Sequence, residues 1–172
     1  TVRILRIAAT QRALLVGFDT VQEGGQAVSD VIDAGIIPAG MEMMDKRAVE
    51  AAEQFAHAGY PLDAAAILII ELDGSDTEVV ALTRQVSEIL RSAGASHIEC
   101  ADDEHTQARL WKGRKSAFPA VGRLSSDYLC MDGTIPRARL AEVLTRIDEL
   151  SSEFNLAVAN VFHAADGNLH PL

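Results

Sequence analysis

Cysteine is scarce in this chain: Cys100 and Cys130 are the two, and they lack the CxxC spacing of a redox or metal motif. Nothing requires an oxidising compartment, so a reduced cytoplasm is the expectation, including a peripheral position at the inner face of a membrane. Basic charge is scarce too: 15 Lys and Arg stand against 25 Asp and Glu, for a formal net charge of −10. That argues against nucleic acid as a partner, because binding it needs clustered cations on one surface. A small anionic substrate stays open, since a few local cations can outweigh the global sign. Long apolar runs are missing. The longest, Ala64 to Ile70, is far short of the roughly 20 residues that span a bilayer. No charged segment leading into an apolar one opens the chain, so no signal peptide is legible. The sequence also lacks GxGxxG and P-loop turns, a GxSxG elbow, an HExxH pair, low-complexity segments and exact internal repeats.

What is present is an ordinary globular composition, 48% hydrophobic and 23% charged over 172 residues, enough for one domain with a full core. Strand and helix signals alternate. Residues 12–18 are apolar and β-prone, and Thr20 with Glu23 makes a capping box for a helix that ends at Gly35. Residues 36–44 read as a loop into a strand, with Met41, Met43 and Met44 as core fill and Glu42 between them facing either a site or solvent. Asp45 caps the next helix. The run 64–72 reads as a central strand buried on both faces. Ser75 and Glu78 form a second capping box, and Gly94 closes that helix before a short strand at 96–100. A helix from about Asp102 passes Trp111 and ends at Pro119 at the latest. Residues 127–132 read as a strand, Pro136 starts another helix, and residues 155–162 form a last strand ending at His163. This order, without phosphate-binding glycines, suits an α+β fold: a ferredoxin-like antiparallel sheet with helices packed on one face. A parallel doubly wound sheet is the alternative.

His163 and His170 flank Asp166-Gly167-Asn168, a turn that can bring both rings to one side; Gly167 permits positive φ. They are either imidazole donors to a divalent ion or two unrelated histidines on a polar loop. Trp111, Arg114, Lys115 and Arg123 form a basic cluster. Arg114 can hold a carboxylate through two parallel hydrogen bonds, or the cluster is a solvated face balancing Asp102, Asp103 and Glu104. Trp111 reads as a packing residue, Cys130 as a small buried hydrophobe, Asp127 and Asp132 as strand-end caps, and His57, His97 and His105 as surface residues. The chain starts at Thr1 without an initiating Met and stops just after the histidine loop. It therefore reads as a piece of a larger protein.

Three separated segments carry a family likeness: Trp111-Lys-Gly-Arg114-Lys-Ser-Ala-Phe-Pro119, Asp127-Tyr-Leu-Cys-Met-Asp-Gly-Thr-Ile-Pro136 and Val161-Phe-His-Ala-Ala-Asp-Gly-Asn-Leu-His-Pro171. Upstream, Gly35-Ile-Ile-Pro38, Met41-Glu-Met-Met-Asp45 and His57-Ala-Gly-Tyr-Pro61 fit as well. Together they resemble the FAD-linked oxidase C-terminal domain of vanillyl-alcohol-oxidase-type flavoproteins, and within it the FAD-linked catalytic subunits of glycolate oxidases (glycolate dehydrogenases). The likeness runs over nearly the whole chain.

That resemblance implies a truncated cap and substrate-binding domain, residues 1–172, of an enzyme that oxidises a small D-2-hydroxy acid with FAD and hands electrons to an acceptor other than NAD. The implied partners are the substrate, an N-terminal FAD-binding domain of the same parent chain, which is absent here, and the partner subunits of a glycolate oxidase complex. Arg114, matching the arginine of the family's W-x-x-R motif, is implied to contact the substrate carboxylate. His163 and His170 are implied to bind a divalent metal, Zn or Mn, with Asp166 and Asn168 orienting them. A third ligand and a catalytic histidine are expected beyond Leu172, so no catalytic residue is assigned within the chain, and the fragment alone is expected to be inactive. Ala165 stands where the family usually has glycine, which matters if that position needs positive φ. No substrate-binding lysine lies near Cys130, in keeping with a monocarboxylate such as glycolate; D-lactate is the neighbouring choice. The competing class is a non-catalytic ferredoxin-like module that binds a small ligand or mediates subunit contact, in which Arg114 and His170 need not share a face.

Overall fold

Strand β3 (Ala66–Gly74) sets the architecture. Its first five residues are all buried, and alternate positions join different apolar clusters. Ile67 and Ile69 pack with Leu15, Met44 and Val49, while Ala66, Leu68 and Ile70 pack with Leu14, Val28 and Leu90. Side chains alternate across a strand, so this pattern needs a sheet covered on both sides. The computed structural model describes residues 8–125 and 127–172; the opening Thr1 lies outside the described residues. In it, β3 runs antiparallel between β1 (Thr10–Phe18) and β2 (Gly40–Asp45).

β4 (Ala95–Ala101) pairs with the other edge of β1. Beyond β2 the sheet continues through β6 (Asn160–His163), β7 (Asn168–Pro171) and β5 (Gly133–Thr134). The order is β4-β1-β3-β2-β6-β7-β5, and every pairing is antiparallel. The first four strands, with α1 (Val21–Asp33) between β1 and β2 and α3 (Asp76–Ser92) between β3 and β4, give the 4-1-3-2 arrangement of a ferredoxin-like sheet. The expected antiparallel α+β fold is therefore present, and the parallel doubly wound alternative is not.

Helices α1, α3 and α6 (Leu140–Glu153) cover one face through Val28, Val31, Val86, Leu90, Leu140 and Leu144. The expectation of a single helical face needs extension. Helices α2 (Lys46–Ala56), α4 (Glu104–Lys115) and α5 (Ala117–Val121) cover the other face, with Ala48, Val49, Leu110 and Val121 in its core. The doubly buried β3 makes this second layer necessary, because one helical layer would leave Ile67 and Ile69 in water.

Local signals position these elements well. Glu23 N donates to Thr20 Oγ1 at 3.1 Å and Thr20 N to Glu23 Oε2 at 3.0 Å, completing the first capping box. Ser75 N donates to Glu78 Oε2 at 3.0 Å in the second. Asp45 accepts from Ala48 N at 2.9 Å as the cap of α2. Pro119 does not end α4, which stops at Lys115. It falls in the first turn of α5, where a missing N–H costs no helical bond.

Three expectations on the far edge are corrected. Among the described residues, 127–132 form no strand, and pairing shrinks to β5 plus a 3.0 Å bond from Met131 N to Pro171 O. Pro171 has no N–H to return, so the ladder cannot continue there. Cys130 is accordingly exposed rather than buried. The last strand is also shorter than expected, starting at Asn160 instead of 155.

Candidate active site

Glu42 is where the site comes together. In β2 it alternates with Met41 and Met43, which bury on the α1/α3/α6 face, so Glu42 points to the α2/α4/α5 face. Directly across the ladder stands His163 of β6. Glu42 Oε1 lies 2.8 Å from His163 Nδ1. Arg114 of α4 reaches the other oxygen, with Nη2 at 2.6 Å and Nε at 3.0 Å from Glu42 Oε2. The arginine thus grips one oxygen of an internal carboxylate with two donors. The ion pair is well shielded, with side-chain exposures of 8% for Arg114 and 13% for Glu42, whereas the His163 side chain is 48% exposed.

The β6–β7 hairpin supplies the second imidazole. His170 pairs with Val161, two residues from His163, so both rings share one face. Their centroids are 5.4 Å apart, edge to face at 88°. Phe118 of α5 meets His170 edge-on at 5.8 Å. Gly167 takes φ +74°, and a Cβ there would stand 2.2 Å from Ile135 O, so both conformation and space require glycine in the turn. Ala165 is not among the described non-glycine residues with positive φ, which are His57 and Asn155, so its methyl group is accommodated without backbone strain. Asp166 Oδ1 accepts from Asn168 N at 3.1 Å and fixes the turn. Asn168 Nδ2 donates to Asp132 Oδ1 at 2.8 Å, and that oxygen lies 3.9 Å from His170 Nδ1. Asp132, expected as a strand-end cap, therefore sits beside the second histidine.

Helix α4 is held at close range. A Cβ on Gly113 would fall 2.4 Å from Tyr60 Oη and 2.6 Å from Ala58 Cβ. Tyr60 Oη donates to Leu110 O at 2.5 Å, and burial pushes its phenol well above the ordinary tyrosine range, so it stays a neutral donor. Arg109 donates to Ala58 O and pairs with Glu99 at 2.6 Å. Gly113→Ala should push α4 off this seat, costing about 1–3 kcal/mol as overpacking does, and should loosen Arg114 from Glu42. Urea denaturation measures the first effect; unchanged stability would show that the helix shifts freely.

The remaining sequence candidates disperse. Arg123 stacks over the Phe55 ring at 4.4 Å, away from Arg114, so the basic cluster does not act as one. Trp111 packs against the core beside Gly40. His57, His97 and His105 are exposed. A surface cavity of about 600 Å³ is lined by Gln11, Glu71, Trp111 and Lys115 among others, and by none of Glu42, Arg114, His163 or His170. Among the described residues, no group of three or more His, Cys, Asp or Glu side chains is arranged to hold a metal ion, and no helix is long and apolar enough to cross a membrane. Glu42 was left undecided by the sequence; the available signal was a carboxylate alternating with buried methionines, which must find a partner or stay in water.

Against known proteins, a family model described as FAD linked oxidases, C-terminal domain, matches residues 7–172. The chain is 55% identical over 172 residues to the glycolate oxidase subunit GlcD of Escherichia coli (strain K12), covering 100% of the chain and 34% of that protein. It is 31% identical over 170 residues to GlcD of Bacillus subtilis (strain 168), covering 99% of the chain and 36% of that protein. A D-lactate dehydrogenase of Archaeoglobus fulgidus is 26% identical over 171 residues, 99% of the chain and 37% of the relative. The chain thus spans about a third of the length of the curated relatives it matches. Among solved structures, alkyldihydroxyacetonephosphate synthase superposes with TM-score 0.69 at 13% identity over 97% of the chain and 36% of that structure. A substrate-bound p-cresol methylhydroxylase gives 0.68 at 9% identity over 96% and 39%. At those identities the likeness speaks for the fold alone.

Proposed function

The chain belongs to the FAD-linked oxidase C-terminal domain family, and on that premise we propose that it forms the substrate cap of a flavin-dependent enzyme oxidising glycolate to glyoxylate. The supporting observation is the meeting of a shielded guanidinium, a carboxylate and two imidazoles on one face of the sheet. Similarity to two proteins named as glycolate oxidase subunits favours glycolate and a complex with partner subunits. D-lactate is the neighbouring choice.

Following the family likeness, FAD is assigned chiefly to another domain of the full-length protein. When bound, flavin supplies the hydride acceptor. Arg114 orients the substrate through its carboxylate, which fixes the α-carbon relative to the acceptor. The half-exposed His163 ring and its neighbour His170 present polar nitrogens to the 2-hydroxyl. The helical layer and Phe118 exclude water from one side.

The two rings lie on one face with their centroids 5.4 Å apart. On the family likeness, His163 and His170 would be two donors to a Zn or Mn ion, which would supply a Lewis acid for the 2-hydroxyl. The described residues do not complete such a set, and no step here depends on it.

The test is anaerobic titration of the full-length protein. Glycolate is expected to bleach the flavin absorbance, and the isolated 172-residue chain with added FAD is expected to oxidise nothing. Failure of every small 2-hydroxy acid to reduce the flavin would overturn the reading.

A further inference from the structure

The cluster contains a group to which neither the family likeness nor the sequence assigns a role. Glu42 touches both the guanidinium and an imidazole: Oε2 takes two donors from Arg114, and Oε1 takes His163 Nδ1 at 2.8 Å. Its position is fixed by the backbone, because the β2–β6 register sets Glu42 opposite His163. Its surroundings are apolar: Met44 on the same face, two residues along β2, and Val161 on the same face of β6 are both buried.

A carboxylate beside a ring nitrogen accepts a hydrogen bond, so that nitrogen carries the proton. In a neutral imidazole the other nitrogen is then a bare lone pair. Arg114 sets its positive charge against this shielded carboxylate at 2.6 Å. We propose that Glu42 is a positioning residue, a single carboxylate that aims the Arg114 guanidinium and locks His163 in the Nδ1–H tautomer, so that the Nε2 lone pair is the one left to face the open side of the ring. The half-exposed His163 ring agrees: one nitrogen is anchored in the protein and the rest of the ring is open to a ligand. Two side chains from elements far apart in sequence are thereby set by one residue, and loss of that residue misplaces both. The catalytic consequence rests on the proposed 2-hydroxy-acid reaction; the tautomer does not.

The experiment therefore has two readouts on the full-length protein. Long-range ¹H–¹⁵N spectra, taken at a pH where imidazoles are neutral, read the His163 tautomer without substrate. The Nδ1–H form is expected in the unaltered protein, and Glu42→Gln should shift the ring toward Nε2–H. In steady-state kinetics with glycolate, Glu42→Gln should lower kcat about 10–100-fold, the range for residues that orient a functional histidine, and should raise KM through the loosened guanidinium. Glu42→Asp, which keeps the charge with a shorter reach, should recover part of kcat. A merely structural ion pair would cost stability in Glu42→Gln but leave kcat and tautomer unchanged, and that outcome overturns the proposal. So does an Nε2–H ring in the unaltered protein, a measurement that needs no variant to fold. If no 2-hydroxy acid is turned over at all, the functional reading fails while the tautomer result still judges Glu42.

Discussion

Arg114→Ala in the full-length protein is expected to lower kcat/KM for glycolate by roughly two to three orders of magnitude, since losing one partner of a desolvated, hydrogen-bonded charge pair costs about 2–5 kcal/mol. Both KM and kcat should change, because a carboxylate held by nothing also leaves the α-carbon misplaced. The same substitution is expected to lower folding stability by about 3–5 kcal/mol, because it leaves the Glu42 carboxylate shielded and without its cation. Two controls separate these effects. Arg114→Lys keeps the charge but cannot present two donors to one oxygen in the same geometry, so it should retain more stability than activity. A double Arg114→Ala, Glu42→Ala variant removes both charges and should regain much of the stability and none of the activity. Unchanged kcat and KM in Arg114→Ala would remove Arg114 from the substrate site.

Asp45→Ala should destabilise the fold by about 3 kcal/mol, from a lost helix cap and unsatisfied buried donors. Asp45 does three jobs: it accepts from Ala48 N at 2.9 Å at the start of α2, from Asn160 N at 2.8 Å and from Asn160 Nδ2 at 2.7 Å. It ties the helix on the site's face to β6, the strand that carries His163. Burial pushes its carboxyl above the ordinary 3.8, against the pull of these hydrogen bonds and of Arg47. The folded chain therefore binds this proton more tightly than the unfolded chain. The contribution is complete below 3.8 and is lost as pH rises through the higher folded-state value. The Asp45→Asn variant cannot ionise, so its stability relative to the unaltered protein should improve as pH climbs through that window. Parallel urea-denaturation profiles for the two proteins across that range would show that Asp45 binds its proton no more tightly in the folded chain than in the unfolded one.

Much of this molecule was legible from local rules. Thr20 and Asp45 start helices where a capping side chain reaches a free N–H of the first turn, and Ser75 starts one where Glu78 reaches back to its N–H, contacts settled within three residues. The run 64–72 announced a central strand because only a doubly covered strand tolerates apolar side chains at consecutive positions. The same run implied two helical layers, although the element order suggested one. The failures were non-local. Residues 127–132 look like a strand, but a strand exists only if its neighbour can complete the ladder, and Pro171 cannot.

The sequence by itself determined the family, the ferredoxin-like order of elements, the starts of α1, α2 and α3 and the turn that requires Gly167, because each rests on chain neighbours or on motifs readable in one line. Tertiary structure alone decided that Glu42 faces inward, that Arg114 rather than Arg123 meets it, and that His163 and His170 share its face. Those facts depend on strand register and on how closely α4 approaches the sheet. Strand register is a pairing between residues 121 positions apart, Glu42 and His163, and no local pattern encodes which of two strand faces a charge will take until its partner strand is in place.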